Sequence, residues 1–330
     1  MPKVSVIIPI YGVEKYIERC ARSLLEQTLD DIEYIFIDDC TPDNSMIVLQ
    51  SIIEKYRFRL DKEKKVVRIE KMPSNSGLTA VRSHGMQLAL GEYVIHCDSD
   101  DWVDRELYET MYKAAVRSNA DIVKCPICDE YKDGSVMRPF NNLPSSCNEI
   151  LENWWYNSVG MFCWNKMVRR SVYTNNELVS FDGINMWEDN GLMLRVFYYA
   201  KGFSQIEGPA YHYNQANQGA MTNGYTRDKI DQMLKCAHLI ACFFESKPDG
   251  EKYLKTVLTL KYLAKLNLVS YRYNWLKEFY QIFPESDVAA DWINLKAFSK
   301  KGKIRFLFVK YHLAWLFVFI FKCLTWKKLK

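Results

Sequence analysis

The chain has 330 residues, 48% of them hydrophobic and 25% charged, with a formal net charge of +4. That balance excludes wholesale disorder, and the length is enough to bury a substantial core in one large domain or two. The charge is too small to argue for a nucleic-acid partner.

The ten cysteines follow no framework spacing, and no signal peptide precedes the first strand, so they read as reduced cytosolic thiols. Cys125-Pro-Ile-Cys128 is a lone CxxC without the second pair that a zinc knuckle needs, and it reads as structural.

Val4–Ile8 is a β-branched run stopped by Pro9, and Glu14–Gln27 has helical spacing. Tyr34–Ile37 is a second buried strand, ended by Asp38-Asp39. Thr41-Pro-Asp-Asn-Ser45 is a turn and cap before a helix over Met46–Tyr56. Lys65–Ile69 is a third strand, Asn75-Ser-Gly77 a loop, Leu78–Leu90 a helix and Glu92–His96 a fourth strand. This alternation predicts right-handed βαβ units and a mostly parallel central sheet flanked by helices, an α/β class. Polar residues at the strand ends then share one edge. Tyr11, Asp38-Asp39, the Asn75–Gly77 loop and the acids Asp98, Asp100 and Asp101 fall around a single crevice.

No G-x-G-x-x-G follows the first strand and no P-loop occurs anywhere, so phosphate would be held through metal rather than by a glycine cradle. Asp98-Ser-Asp100-Asp101 has the chemistry for that. Carboxylates this close repel unless a cation sits among them, and Mg²⁺ or Mn²⁺ carrying a diphosphate supplies one. The plain alternative is a solvated acidic turn, with Asp104 as N-cap before Arg105–Tyr108.

Beyond the acids, Arg105–Ser118 reads as a helix and Ala120–Cys125 as a strand. Residues 141–155 are loose and polar, with Trp154-Trp155 available to stack on a sugar or to pack in the core. Glu188-Asp189 opens an apolar helix, where the helix dipole alone would favour two acids. From Arg227 helical periodicity dominates and predicts a C-terminal helical appendage. No acidic residue follows Asp291, whereas ten basic ones do. The apolar stretch Leu313–Phe321 is bounded by Lys310 and Lys322 and falls short of the ~20 residues that span a bilayer. It reads as an interfacial helix on anionic lipid, or as a helix docked on the domain or on a second subunit.

V-S-V-I-I-P-I-Y at 4–11, I-D-D-C-T-P-D at 37–43, N-S-G at 75–77, A-V-R at 80–82 and C-D-S-D-D-W at 97–102 together resemble the family 2 inverting glycosyltransferases, in order and spacing as well as locally. The likeness covers roughly residues 3 to 225. It implies a GT-A fold and a nucleotide-sugar donor, most often a UDP-sugar. It further implies that Tyr11 stacks near the base in a pocket shaped by Pro9, that Asp39 contacts the base, and that Glu14, Asn75 and Gly77 support that site. Asp98 is implied near the ribose or the metal, Asp100 as metal ligand and Asp101 as an orienting neighbour. Arg82 either pairs with diphosphate or is a surface helix charge.

Cys163-Trp-Asn-Lys166-Met-Val-Arg-Arg170 resembles a W-N-K-x-x-R-R segment of bacterial members that build surface polysaccharides, with Lys166 on phosphate or snorkelling at the surface. The resemblance makes Asp189 the general base and Glu188 its orienting neighbour. An Arg and a Ser that many relatives carry after Tyr211-His212-Tyr213 are missing, Ala220 standing at the Ser. His212 is an extra metal ligand or a structural histidine.

The expectation is a cytoplasmic glycosyltransferase using Mn²⁺ or Mg²⁺, peripheral on the inner face of the membrane, with a glycan or lipid-linked acceptor. The alternative is a non-catalytic nucleotide-binding subunit of a glycan assembly complex. The expected parts are a catalytic domain over 1–225 (nucleotide half 1–102, acceptor half 103–225), a helical region over 226–300 and a basic tail over 301–330.

Overall fold

The computed structural model describes residues 1–140, 143–157, 159–217, 226–269, 275–293 and 298–326. It divides into two compact units, Met1–Ile150 with Met161–Asn223, and Leu151–Gly160 with Gly224–Lys330.

The first unit opens with β1 (Val4–Ile10), α1 (Ile17–Leu25), β2 (Ile32–Asp38), α2 (Ser45–Lys62), β3 (Val66–Lys71), α3 (Leu78–Leu88) and β4 (Tyr93–His96). There follow β5 (Trp102–Val103), α4 (Leu107–Ser118), β6 (Ile122–Lys124), β7 (Ile127–Tyr131) and β8 (Gly134–Met137). The chain continues through α5 (Cys147–Glu152), α6 (Trp154–Asn157), β9 (Lys166–Arg169), α7 (Arg170–Thr174), α8 (Glu188–Tyr199), β10 (Phe203–Gln205) and β11 (Tyr211–Asn214).

The central sheet runs β10-β6-β9-β4-β1-β2-β3. It is parallel except at β9, which lies antiparallel to both β4 and β6. A smaller sheet runs β5-β11-β7-β8. The register brings Ile10 level with Asp38 and Ile7 level with His96, so β1, β2 and β4 give out along one edge.

Both faces of β1 and β2 are covered, which is why their sequences are near-continuous apolar runs. Val4, Val6, Ile8 and Ile10 pack with α1, α2 and α4, while Ile7, Ile35 and Ile37 pack with Val81 of α3. Each such side chain contributes about 1.5–3 kcal/mol on burial. Helix α3 comes very close to β1: a Cβ on Gly85 would stand 2.4 Å from Ile7 Cγ2, so only glycine fits there.

Three expected boundaries shift for identifiable reasons. Helix α1 starts at Ile17 rather than Glu14, because Val13 N–H donates to Ser45 Oγ (3.1 Å) and Glu14 N–H to Asp43 Oδ2 (2.9 Å), tying that stretch to the second loop. Helix α2 runs past Tyr56 to Lys62. Helix α4 starts at Leu107, and Asp104 is not its cap: the Asp104 carboxylate accepts from Ala210 N–H (2.8 Å) and faces His212 Nε2 (3.1 Å).

The second unit is helical, with α9 (Arg227–Glu245), α10 (Leu254–Leu266), α11 (Leu276–Gln281), α12 (Lys300–Lys310) and α13 (Ala314–Trp326). Thr226 caps α9, its hydroxyl accepting from Lys229 N–H at 3.3 Å. Trp154 is nearly buried and meets Trp155 edge-on (5.5 Å), and Trp155 in turn meets Phe298 (5.7 Å), so this pair packs within the unit. The expected apolar helix over Leu313–Phe321 is found in α13, which a break at His312 (φ +59°) separates from α12. Among the described residues no helix is long and apolar enough to cross a membrane.

Candidate active site

One side of the crevice is built by three strand-end loops that hold one another. Tyr11 follows β1 with half its surface exposed. Asp39 follows β2 and is buried. Its Oδ1 accepts from Ser76 N–H (2.7 Å) and its Oδ2 from Gly77 N–H (2.9 Å). Asp39 therefore organises the Asn75–Gly77 loop and caps no helix. The N-cap of α2 is Asn44, and the preceding Asp43 accepts from Ser45 N–H in the first turn (3.1 Å). Burial pushes its carboxyl up, but bonds from the Ser45 and Thr41 hydroxyls and the Glu14 and Ser45 N–H groups bring it down to about 2. Glu14 is exposed and accepts from Asn44 N–H (3.1 Å) and its amide (3.2 Å), latching the first loop to the second. Pro9 lies within β1 opposite Ile37, and Asn75 is exposed at the tip of its loop.

Gly77 has φ +83°, and a Cβ there would meet the Asn185 amide at 2.9 Å. Asn185 Oδ1 accepts from Thr79 N–H (3.1 Å), and the Thr79 hydroxyl donates to Ile184 O. The loop before α8 is thereby fastened onto the start of α3. Asn185 was not foreseen; the only sequence signal was the neighbouring glycine.

Arg82 is 2% exposed, so it is no surface helix charge. Its Nη2 donates to Asp98 Oδ1 (2.6 Å) and its Nη1 to Asp189 Oδ1 (2.9 Å), and Glu188 also pairs with Nη1. Burial opposes the charge, but Cys163, Asp98 and Asp189 more than offset it and hold the guanidinium pKa above its ordinary value. Glu188 and Asp189 form the first turn of α8, behind Trp187 in a left-handed conformation (φ +67°). Glu188 is 3% exposed in its side chain and Asp189 is 20%, so only Asp189 is open to a ligand. Cys163 lies against the pair, its thiol and the two carboxylates falling within 4.8 Å of one another.

The acids after β4 are held from β11. Asp98 N–H donates to Tyr211 Oη (3.1 Å), and Tyr211 O–H donates to Asp101 Oδ2 (2.7 Å). Asn214 N–H donates to Asp101 Oδ1 (2.7 Å), and Asn217 Nδ2 to Asp100 Oδ2 (2.7 Å). Asp101 is fully buried with both oxygens occupied, which leaves Asp98 and Asp100 to face a ligand. Burial, then Asp98, raises the Asp100 pKa, and burial, then Asp100 and Asp98, raises that of Asp101 well above its ordinary value. Crowded carboxylates with raised pKa and oxygen-only donors fit a hard divalent cation, Mg²⁺ or Mn²⁺. Tyr211, Asn214 and Asn217 were not foreseen as its supports. Ala220, which stands at the Ser position of relatives, lies outside the described residues.

Two expected members have other hydrogen-bond partners, although Lys166 still feels the charges of Asp189 and Cys163. His212 points to a different set of acids, Nδ1 at 2.7 Å from Glu130 Oε1 and Nε2 at 3.1 Å from Asp104 Oδ1, and it stacks flat on Trp102 (5.1 Å, 8°). Lys166 does not snorkel. It is 1% exposed, its Nζ donating to Phe162 O and Asn165 Oδ1 (both 2.8 Å), and burial pushes the ammonium down to about 7.

A mostly parallel sheet with one antiparallel strand, carrying an acid cluster at its carboxyl edge and a second acid pair one guanidinium away, defines a glycosyltransferase of the GT-A fold. Residues 5–175 match the model of glycosyl transferase family 2, and the chain belongs to that family. It is 29% identical over 267 residues to the putative glycosyltransferase EpsH of Bacillus subtilis, covering 78% of this chain and 74% of the relative. Among solved structures it resembles S. aureus TarS 1-349 in complex with UDP-GlcNAc (TM-score 0.65, 18% identity), over 96% of this chain and 89% of that one. It also resembles GalNAc-T7 with UDP, GalNAc and Mn²⁺ (TM-score 0.52, 12% identity), over 85% of this chain and 54% of that one.

Proposed function

We propose that this glycosyltransferase is metal-dependent and inverting. It moves a hexosyl or N-acetylhexosaminyl group from a UDP-sugar to a hydroxyl of a glycan or lipid-linked acceptor in bacterial surface polysaccharide synthesis. The observation that carries the reading is Arg82, whose one guanidinium bonds the donor-side Asp98 and the acceptor-side Asp189.

Tyr11 offers the exposed aromatic face a planar base needs, and Asp39, through the loop it holds, fixes the wall beside it. Asp98 and Asp100 would hold Mn²⁺ or Mg²⁺, which would supply charge neutralisation for the departing diphosphate. Asp189 accepts the proton of the acceptor hydroxyl on the face opposite the leaving group, as a general base must. Glu188, buried against Arg82, orients that acid. The UDP-GlcNAc of TarS and the Mn²⁺ of GalNAc-T7 support the choice of donor and metal. The exposed apolar residues Ile304 and Leu307 of α12 and Trp315 and Phe319 of α13, with the basic tail, support a peripheral place on the inner face of the cell membrane. In this reading residues 1–102 serve the nucleotide and 103–225 the acceptor.

The test is Asp189→Asn. It should bind UDP with Mn²⁺ by calorimetry as the parent does and transfer no sugar, a loss of at least 100-fold being the lower range for a general base. Substantial transfer by that variant would remove Asp189 from the mechanism.

A further inference from the structure

We propose that Cys128, Glu130 and His212 form a second metal site, separate from the Asp98/Asp100 crevice and suited to a zinc-class cation. Cys128 and Glu130 are two apart on β7 and so project from the same face of the strand. β11 runs parallel beside it with His212 level with Cys128. The thiol, one imidazole nitrogen and a carboxylate oxygen all lie within 4.8 Å of one another. Sulfur, nitrogen and oxygen together form a set that Zn²⁺ accepts and that Mg²⁺ and Mn²⁺ do not favour.

The surroundings are those of a ligating histidine. Such a residue usually gives its other ring N–H to a carboxylate, which fixes the tautomer and aims the free nitrogen at the metal. His212 Nε2 lies 3.1 Å from Asp104 Oδ1, which turns Nδ1 toward Glu130 (2.7 Å) and the thiol. Trp102 holds the ring flat, and the Ser135 hydroxyl donates to the other Glu130 oxygen. The plain alternative is a histidine bridging two acids. In that arrangement the Cys128 thiol donates to the Glu130 carboxylate, and a cation would take the place of the thiol proton. A cation here would also pin β11, the strand whose Tyr211 and Asn214 hold Asp98, Asp100 and Asp101.

The test uses the full chain, stripped with chelator and titrated with Co²⁺ as a spectroscopic probe. Expected is a thiolate-to-cobalt charge-transfer band saturating at one ion per chain and displaced by Zn²⁺. It should vanish in Cys128→Ser and His212→Ala and persist in Asp100→Asn. It should also persist in Cys242→Ser, a needed control because Cys242 Sγ lies 3.7 Å from His238 Nε2 on α9. Asp104→Asn, which keeps the three ligands, should weaken Zn²⁺ about 10–100-fold. No band, a band that survives Cys128→Ser, or one lost in Cys242→Ser overturns the proposal. Should Cys128→Ser not fold, Asp104→Asn and Glu130→Gln decide it, since unchanged Zn²⁺ affinity in both would overturn it equally.

Discussion

Arg82 and Asp189 lie 107 positions apart in the chain, on α3 and α8, and are joined by a hydrogen bond of 2.9 Å. The same guanidinium bonds Asp98, so an acid after β4 and an acid at the start of α8 share one buried guanidinium. Three carboxylates gathered in one place would repel if left alone, and the fork of Arg82 is what permits them to be together there.

Arg82→Met should therefore be costly twice over. Removing one partner of a buried ionic group leaves the others uncompensated, which costs about 3–5 kcal/mol. Denaturant unfolding should read that loss, and transfer should fall with it. Arg82→Lys keeps the charge but loses the fork; it should recover part of the stability and little of the activity. A stable, fully active Arg82→Met protein would show that the acids do not depend on it.

The pKa of Asp100 and Asp101 makes metal-free stability depend on pH in a definite direction. Their raised values mean that the fold prefers the protonated acids, so stability present at low pH is lost as pH rises through their folded pKa. Relative to Asp100→Asn, the chelated parent should lose stability across that interval. Mn²⁺ should restore it near neutrality and have little effect once the acids are protonated. Thermal melts of both proteins with and without Mn²⁺ across the acid range measure this. A Mn²⁺ stabilisation that is the same at every pH, or undiminished in Asp100→Asn, would contradict it.

The strand ends were legible because β-branched runs stop abruptly at polar residues, and parallel strands joined by helices must deliver those residues to one edge. The register of Ile10 with Asp38 and Ile7 with His96 is the outcome. Arg82 was legible as a residue but not as a partner, since helical periodicity cannot name a contact 107 positions away. Strand β9 is four residues long and runs against its neighbours, too short for a pattern to declare its direction. With His212, parity held a usable hint. Tyr211 and His212 are adjacent on a strand and point to opposite faces, so they could not both serve the Asp98 crevice. Only the pairing of β11 with β7 decides that Tyr211 is the one that does.

Gly77 is the position where backbone and site depend most directly on each other. Its φ of +83° is strained for any other residue, and a Cβ would press on the Asn185 amide at 2.9 Å. Gly77→Ala should cost about 1–3 kcal/mol from the backbone alone. Because Gly77 N–H bonds Asp39, the same change should also weaken UDP binding. Asn185→Ala opens the space but releases the Thr79 N–H that Asn185 holds at 3.1 Å. The double variant Gly77→Ala/Asn185→Ala should then be less destabilised than the sum of the two single changes. Strict additivity in denaturant unfolding would mean the two residues do not press on each other.

Helices α12 and α13 turn Phe306, Val309, Ala314 and Phe317 inward. Outside they leave two apolar stripes, Ile304 and Leu307 on α12 with Tyr311 at its C-cap, and Trp315 and Phe319 on α13, all exposed. The spacing in each case is one helical face. Lys300 and Lys322 are exposed near the outer ends of the pair, and no acidic residue occurs after Asp291. Aromatic side chains beside lysines suit the headgroup region of an anionic bilayer. The full chain should therefore sediment with vesicles rich in phosphatidylglycerol, more weakly as salt is raised, and poorly with phosphatidylcholine alone. Burying each aromatic in the interface contributes about 1.5–3 kcal/mol, so Trp315→Ser/Phe319→Ser should weaken the association at least tenfold. Transfer to a short soluble acceptor should be unaffected, because the Asp98–Asp189 group lies wholly within the first unit. If the double variant still sediments with anionic vesicles as the parent does, these stripes are not what meets the membrane.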